Sequence, residues 1–160
     1  MDRRTLLHCV VGSALGGLAH AASAAEACGP DRAHTALLDR YVESVNAHDT
    51  ARFPEFFTEA YVQHSGRSPS GLTAQMATFQ RLFATMPDLS LHIDDRVIAG
   101  DKVVARTSYS ATHTQAIRGV PPTGKSFTFH TIDIWRVQDG KFAEHWDLTD
   151  IAEVLQGLRQ

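Results

Sequence analysis

Ser126 to Asp150 reads SFTFHTIDIWRVQDGKFAEHWDLTD, two runs rich in Phe, Ile, Trp and Val joined at Gln138-Asp139-Gly140. Runs of this kind bounded by a turn predict a β-hairpin. Asp133, His145 and Asp147 interrupt segments otherwise fit for burial, where an ionised side chain is costly unless it is paired or used. Whether these groups meet depends on register, because a slip of one residue turns every side chain to the opposite face.

Two turns are open. A two-residue loop at Asp139-Gly140 pairs Gln138 with Lys141, sets Trp146 opposite Asp133 and sends Asp147 to the far face. A three-residue loop with Gly140 left-handed pairs Val137 with Lys141 and sets His145 opposite Asp133. The second is the expected one, since it gathers the polar groups. Thr131, Asp133 and Trp135 then share a face with Ala143, His145 and Asp147, and Ile132, Ile134, Phe142, Trp146 and Leu148 share the other.

Upstream of the hairpin, Leu37, Leu38, Tyr41, Val42 and Val45 recur at helical spacing within Asp31–Ala47. Asp49 is placed to cap a short second helix through Phe53, Phe56 and Phe57, which leads into Tyr61-Val62-Gln63-His64. Pro69 and a serine cap open a third helix carrying Leu72, Met76, Phe79, Leu82, Phe83 and Met86. The period then changes to two through Leu89, Leu91 and Ile93. A turn at Ala99-Gly100-Asp101 and a strand from Lys102 to about Gln115 follow. Ile151–Leu158 reads as a tail helix. Helices followed by antiparallel strands predict an α+β domain with its helices on one face of a curved sheet.

The first residues, Asp2-Arg3-Arg4-Thr5-Leu6-Leu7, a Gly/Ala-rich apolar run and Ala22-Ser23-Ala24, have the form of an export signal, with paired arginines of the twin-arginine type. The expected organisation is a signal over 1–24, a tail over 25–32 and one domain over 33–160, exported to the periplasm or secreted. Gly and His residues interrupt the apolar run too often for a stable span, so no lasting membrane association is expected after cleavage. Losing Asp2, Arg3 and Arg4 with the signal changes the formal charge from −3 to −4. Without basic clusters this argues against nucleic acid as a partner and for a small molecule. Cys28 is the only cysteine outside the signal, so no internal disulfide is expected.

Gly119-Val120-Pro121-Pro122-Thr123-Gly124-Lys125-Ser126 satisfies the phosphate-loop pattern letter for letter. Two prolines remove backbone donors, however, and Phe127-Thr128-Phe129-His130 continues as strand where that loop needs a helix. His64, His113, His130 and His145 lack metal-ligand spacing, and there is no G-x-S-x-G nucleophile elbow. Acid–base chemistry by Asp and His remains, with no metal expected.

Tyr61-Val62-Gln63-His64, Thr112-His113-Thr114-Gln115, the Pro121-Pro122-Thr123-Gly124-Lys125 segment, Ile132-Asp133-Ile134-Trp135-Arg136-Val137 and Glu144-His145-Trp146-Asp147 together resemble the SnoaL-like polyketide cyclase, or ester cyclase, family from roughly Leu37 to Ile151. The resemblance implies the NTF2-like fold, a cone of curved sheet closed by helices around one pocket, and cofactor-independent aldol cyclisation with an aspartate as general acid–base. It assigns that role to Asp147. His145, Asp133 and His64 are then expected to position substrate oxygens or tune the aspartate, and Tyr61, Tyr109, His113, Thr131 and Trp135 are candidates for substrate contact. A carrier using the same pocket and a lactone or epoxide hydrolase are the alternatives. Family members commonly dimerise through the sheet, so a homodimer is expected.

Overall fold

A computed structural model describes the backbone of residues 17–159 and the side chains from Asp31 onward. Residues 1–16 of the expected export signal and the thiols of Cys9 and Cys28 lie outside the described residues. Helix α1 spans Gly17–Asn46. It starts well before the expected Asp31, through the expected tail, and its added turns are rich in alanine, the strongest helix former. None of the described helices is long and apolar enough to cross a membrane.

A short 3-10 turn, Thr50–Arg52, is capped by Asp49, whose side chain accepts from the Ala51 N–H. Helix α2 (Phe53–Phe56) and strand β1 (Phe57–Gln63) follow. Then come α3 (Leu72–Thr85), β2 (Ser90–Ala99), β3 (Lys102–Thr112), β4 (Ser126–Gln138), β5 (Lys141–Thr149) and α4 (Ile151–Gly157). The strands form one mixed sheet in the order β1-β5-β4-β3-β2. Every pairing is antiparallel except β1 with β5. The architecture is the expected α+β curved sheet with helices over one face. Strand β1 was not anticipated, and Gly71 rather than a serine precedes α3.

The alternation on β4 is strict, with Phe127, Phe129, Thr131, Asp133, Trp135 and Val137 buried. This inner face packs against Leu37, Leu38, Tyr41 and Val45 of α1. Tyr41 lies among the rings of Phe53, Phe56, Phe57, Phe79, Trp135 and Phe142, all edge-on to it. The segment matching the phosphate-loop pattern runs straight into β4.

The hairpin corrects the expected register. Its turn has two residues, Asp139 and Gly140, both with positive φ (51° and 72°), and Gln138 pairs with Lys141. These are the angles of a type I′ turn, whose twist suits a hairpin and whose second position favours glycine. The register then slips between Arg136 and Val137, so that Val137 faces Phe142 while Arg136 faces Glu144. Ala143 is thus the extra residue of a β-bulge. Asp133 comes to face Asp147 rather than His145, and His145 faces Trp135. Phe142, expected on the outer face, is fully buried inside.

Candidate active site

Inward residues of β4 and β5 build the floor of a cavity of about 150 Å³. Its walls come from Tyr41 of α1, Phe79 and Leu82 of α3, Tyr109 of β3, Phe129 of β4 and Ile151 of α4. A cavity of this size accommodates a ligand about as large as one six-membered ring.

Asp133 is 3% exposed, and each of its oxygens has a donor. Its Oδ1 accepts from His145 Nε2 at 2.9 Å, and its Oδ2 accepts from the hydroxyls of Thr131 and, at 3.2 Å, Thr107. The imidazole of His145 stacks on Trp135 with centroids 4.9 Å apart and planes 6° apart, and Tyr61 covers it at 6.5 Å. Its Nδ1 contacts Gln63 Nε2 at 2.9 Å.

Asp147 is held differently. Strand β1 ends beside His145, and the backbone beyond it is met by Arg67 from the β1–α3 loop, whose Nη2 donates to the Asp147 carbonyl at 3.2 Å. The same guanidinium donates to Asp147 Oδ2. Asp147 Oδ1 is buried and has no hydrogen-bond partner, with His145 Nδ1 4.0 Å away. Two facing carboxylates therefore differ in kind: both oxygens of Asp133 have donors, whereas Asp147, which also lines the cavity, keeps one buried oxygen without a partner.

Burial raises the hydroxyl pKa of Tyr41 and Tyr109, and the nearby charges of Asp133 and Asp147 add to the rise. Both phenols line the cavity and stay protonated, as hydrogen-bond donors. Among the described residues no group of three His, Cys, Asp or Glu side chains could hold a metal ion.

Asp133, His145, Asp147, Tyr109, Thr131 and Trp135, expected from the sequence, come together around this cavity. The other three do not line it. His64 lies on the outer side, where its Nε2 meets Glu144 Oε2 at 2.8 Å and its ring stacks on Trp146 at 4.4 Å. It follows a strand rather than a helix, so alternation turns Gln63 inward and His64 outward. Tyr61 is wholly buried beneath His145, its hydroxyl without a partner. His113 is buried where the β3–β4 loop folds back, with Nδ1 3.1 Å from Thr123 Oγ1.

Sequence reasoning missed Gln63, Arg67, Ser68, Gln75 and Arg118. Of these, Gln63, Ser68, Gln75 and Arg118 line the cavity. Arg118 has a φ of 48° in a tight turn closed by the Ile117–Val120 bridge. Only Gln63 carried a usable signal, its spacing of two from Tyr61 on a strand.

Residues 35–158 match the family model described as SnoaL-like polyketide cyclase. The chain is 31% identical to TsrD from Streptomyces laurentii, over 79% of this chain and 95% of that one, with a TM-score of 0.73. It is 28% identical to IdmH, a putative polyketide cyclase from Streptomyces antibioticus, over 79% and 98% of the two chains, with a TM-score of 0.70. AclR from Streptomyces galilaeus, a putative hydroxylase, is 26% identical over 78% and 94%, with a TM-score of 0.69. No curated protein matches the chain. Family and structural neighbours together support a function of the cyclase or isomerase type.

Proposed function

The chain belongs to the SnoaL-like polyketide cyclase family, and from that premise we propose that it catalyses cofactor-independent proton transfer on a small, mostly apolar carbonyl compound, with Asp147 as general acid–base. The observation that carries this reading is the buried, unpartnered Oδ1 of Asp147 beside a cavity walled by Phe79, Leu82 and Phe129. Arg67 keeps this carboxylate in place through Oδ2, and Oδ1, with no donor of its own, is the oxygen free to take a proton.

In an aldol ring closure, Oδ1 takes a proton from the carbon next to a carbonyl. The electron pair moves onto that carbonyl oxygen as an enolate, which the protonated phenols of Tyr41 and Tyr109 are suited to stabilise. The enolate carbon then bonds to a second carbonyl carbon of the same molecule, and the new alkoxide takes the proton back from Asp147. An isomerisation uses the same first step and returns the proton to a different carbon. Arg67 holds the carboxylate through Oδ2, and Asp133, with a donor on each oxygen, orients His145. The N-terminal stretch supports reading the protein as exported, with a substrate met outside the cytosol.

The test is exchange of α-hydrogens in D₂O, followed by NMR for a series of small cyclic and open-chain β-keto esters. Asp147→Asn keeps the shape of the side chain, and the expected outcome is a fall in protein-catalysed exchange of about 10²–10⁴-fold with ligand affinity unchanged within a few fold. Exchange at the wild-type rate in this variant overturns the assignment.

A further inference from the structure

Gln63 stands on the last residue of β1, level with His145 in the parallel pairing. Its backbone is fixed there: its own N–H donates to Ser70 Oγ at 3.0 Å, and the His64 N–H donates to the His145 carbonyl at 2.8 Å. Its side chain is fixed as well, because the Ser65 backbone N–H donates to Gln63 Oε1 at 3.1 Å. A backbone N–H can only donate, so the atom it meets is the amide oxygen, and the amide nitrogen is the atom that faces His145 Nδ1 at 2.9 Å.

An amide nitrogen also only donates, so Nδ1 must offer its lone pair. The ring proton then belongs on Nε2, from which it is donated to Asp133 Oδ1 at 2.9 Å. We propose that Gln63 is a positioning residue that fixes His145 as the neutral imidazole with its proton on Nε2. An imidazolium would set Nδ1–H against the amide hydrogens. The other neutral tautomer would do the same and would also turn the Nε2 lone pair toward a carboxylate. The charged and titratable groups facing the ring are Asp133 from β4, Asp147 from its own strand and the phenol ring of Tyr61 from β1. Arg67 occupies the far oxygen of Asp147.

The consequence for the reaction rests on the proposed role of Asp147. A cationic His145 would place an N–H 4.0 Å from Asp147 Oδ1 and make that oxygen a weaker base. By holding the imidazole neutral, and by keeping its one proton on the side of Asp133, Gln63 leaves the proton-accepting oxygen undisturbed. The end of β1 and the loop after it thus act on both carboxylates, through Gln63 on the Asp133 side and Arg67 on the Asp147 side.

Long-range ¹H–¹⁵N NMR of the histidine rings in the full chain tests this, with the His145 signals identified by their loss in His145→Gln. The expected wild-type pattern at pH 7 is a protonated Nε2 and an unprotonated Nδ1. A protonated Nδ1 in the wild type overturns the proposal and requires no variant to fold. Gln63→Glu replaces the donor by an acceptor of the same shape, and the expected result is a proton on Nδ1 and at least a tenfold loss of α-hydrogen exchange. An unchanged ring pattern in that variant also overturns the proposal. Asp147→Asn leaves the tautomer in place, so failure of the base assignment and failure of the tautomer assignment give different spectra and rates.

Discussion

Strand β5 carries two histidine–carboxylate pairs of nearly equal length on its opposite faces. On the inner face His145 Nε2 meets Asp133 at 2.9 Å; on the outer face His64 Nε2 meets Glu144 at 2.8 Å. The difference is in their surroundings. The inner side chains are 10% and 5% exposed, clamped by Trp135 and backed by two threonine hydroxyls. The outer ones are 35% and 25% exposed, and Glu144 shares its charge with Arg136 at 2.6 Å. Contact distance alone therefore does not mark a site. Withdrawal from water does, because it makes each unmet donor or acceptor costly and each met one directional.

Removing one carboxylate at a time breaks this comparison most sharply. Asp133→Ala leaves the Nε2–H of His145 buried without its acceptor, and one of the hydroxyls of Thr107 and Thr131, which also bond each other, loses its acceptor as well. The expected loss, read from urea unfolding, is about 2–5 kcal/mol, from ~1–3 kcal/mol for each buried donor left unmet. Glu144→Ala removes an exposed acceptor that water replaces, and its unfolding midpoint should stay within the spread of ordinary surface substitutions. Equal losses would mean that the two faces do not differ as argued.

How much of this was legible in the sequence depends on which physical signal each part uses. The inward set Asp133, His145 and Asp147 was legible because polar groups in apolar strands need company. The device that brings them together was not. A three-residue turn and a two-residue turn followed by a bulge have the same parity, so both turn His145 and Asp147 inward, and alternation alone cannot separate them. Their difference falls on Phe142, which only the bulge buries. His64 was misplaced for the converse reason. Strand β1 is short and irregular, with a register shift between Phe57 and Val62, and without knowing that it is a strand the histidine looked more telling than the glutamine beside it. Arg67 gave no signal, since an arginine in a Gly/Ser-rich loop is ordinarily a solvated surface residue, and only the tertiary fold brings it to Asp147.

The dryness of the inner side makes a second prediction. The chain has three tyrosines, Tyr41, Tyr61 and Tyr109, and all are buried. Burial raises each phenol above its ordinary pKa, and the charges of Asp133 and Asp147 add to the rise. A raised folded-state pKa means that the stabilisation is fully present below the unfolded value, near pH 10, and is lost as pH rises above it. Each phenol then costs up to about 1.4 kcal/mol of stability per pH unit, or about 2.5 kcal/mol for the three by pH 10.5. In an ultraviolet titration the phenolate band should appear only together with the unfolding transition. A phenolate signal from the folded protein near pH 10 would show that water reaches the inner face.

The outer pair gives the smallest effect and the opposite dependence on pH. Hydrogen bonds from His64 and then Arg136 hold the Glu144 carboxyl below the usual range. A lowered folded-state pKa stabilises above the unfolded value, near 4.5, and that contribution is lost as pH falls through the folded value. Asp88, held low by hydrogen bonds from Thr112, contributes with the same sign. Comparing wild type with Glu144→Gln cancels its part. The two proteins should differ slightly in denaturant midpoint at neutral pH, less in high salt, which screens exposed charges, and not at all once the carboxyl is protonated. The inner pair, shielded from ions by Trp135 and Tyr61, should give a midpoint difference between wild type and Asp133→Ala that salt does not change. If salt reduced both differences alike, burial would no longer explain why the pair at Asp133 belongs to the site and the pair at Glu144 to the surface.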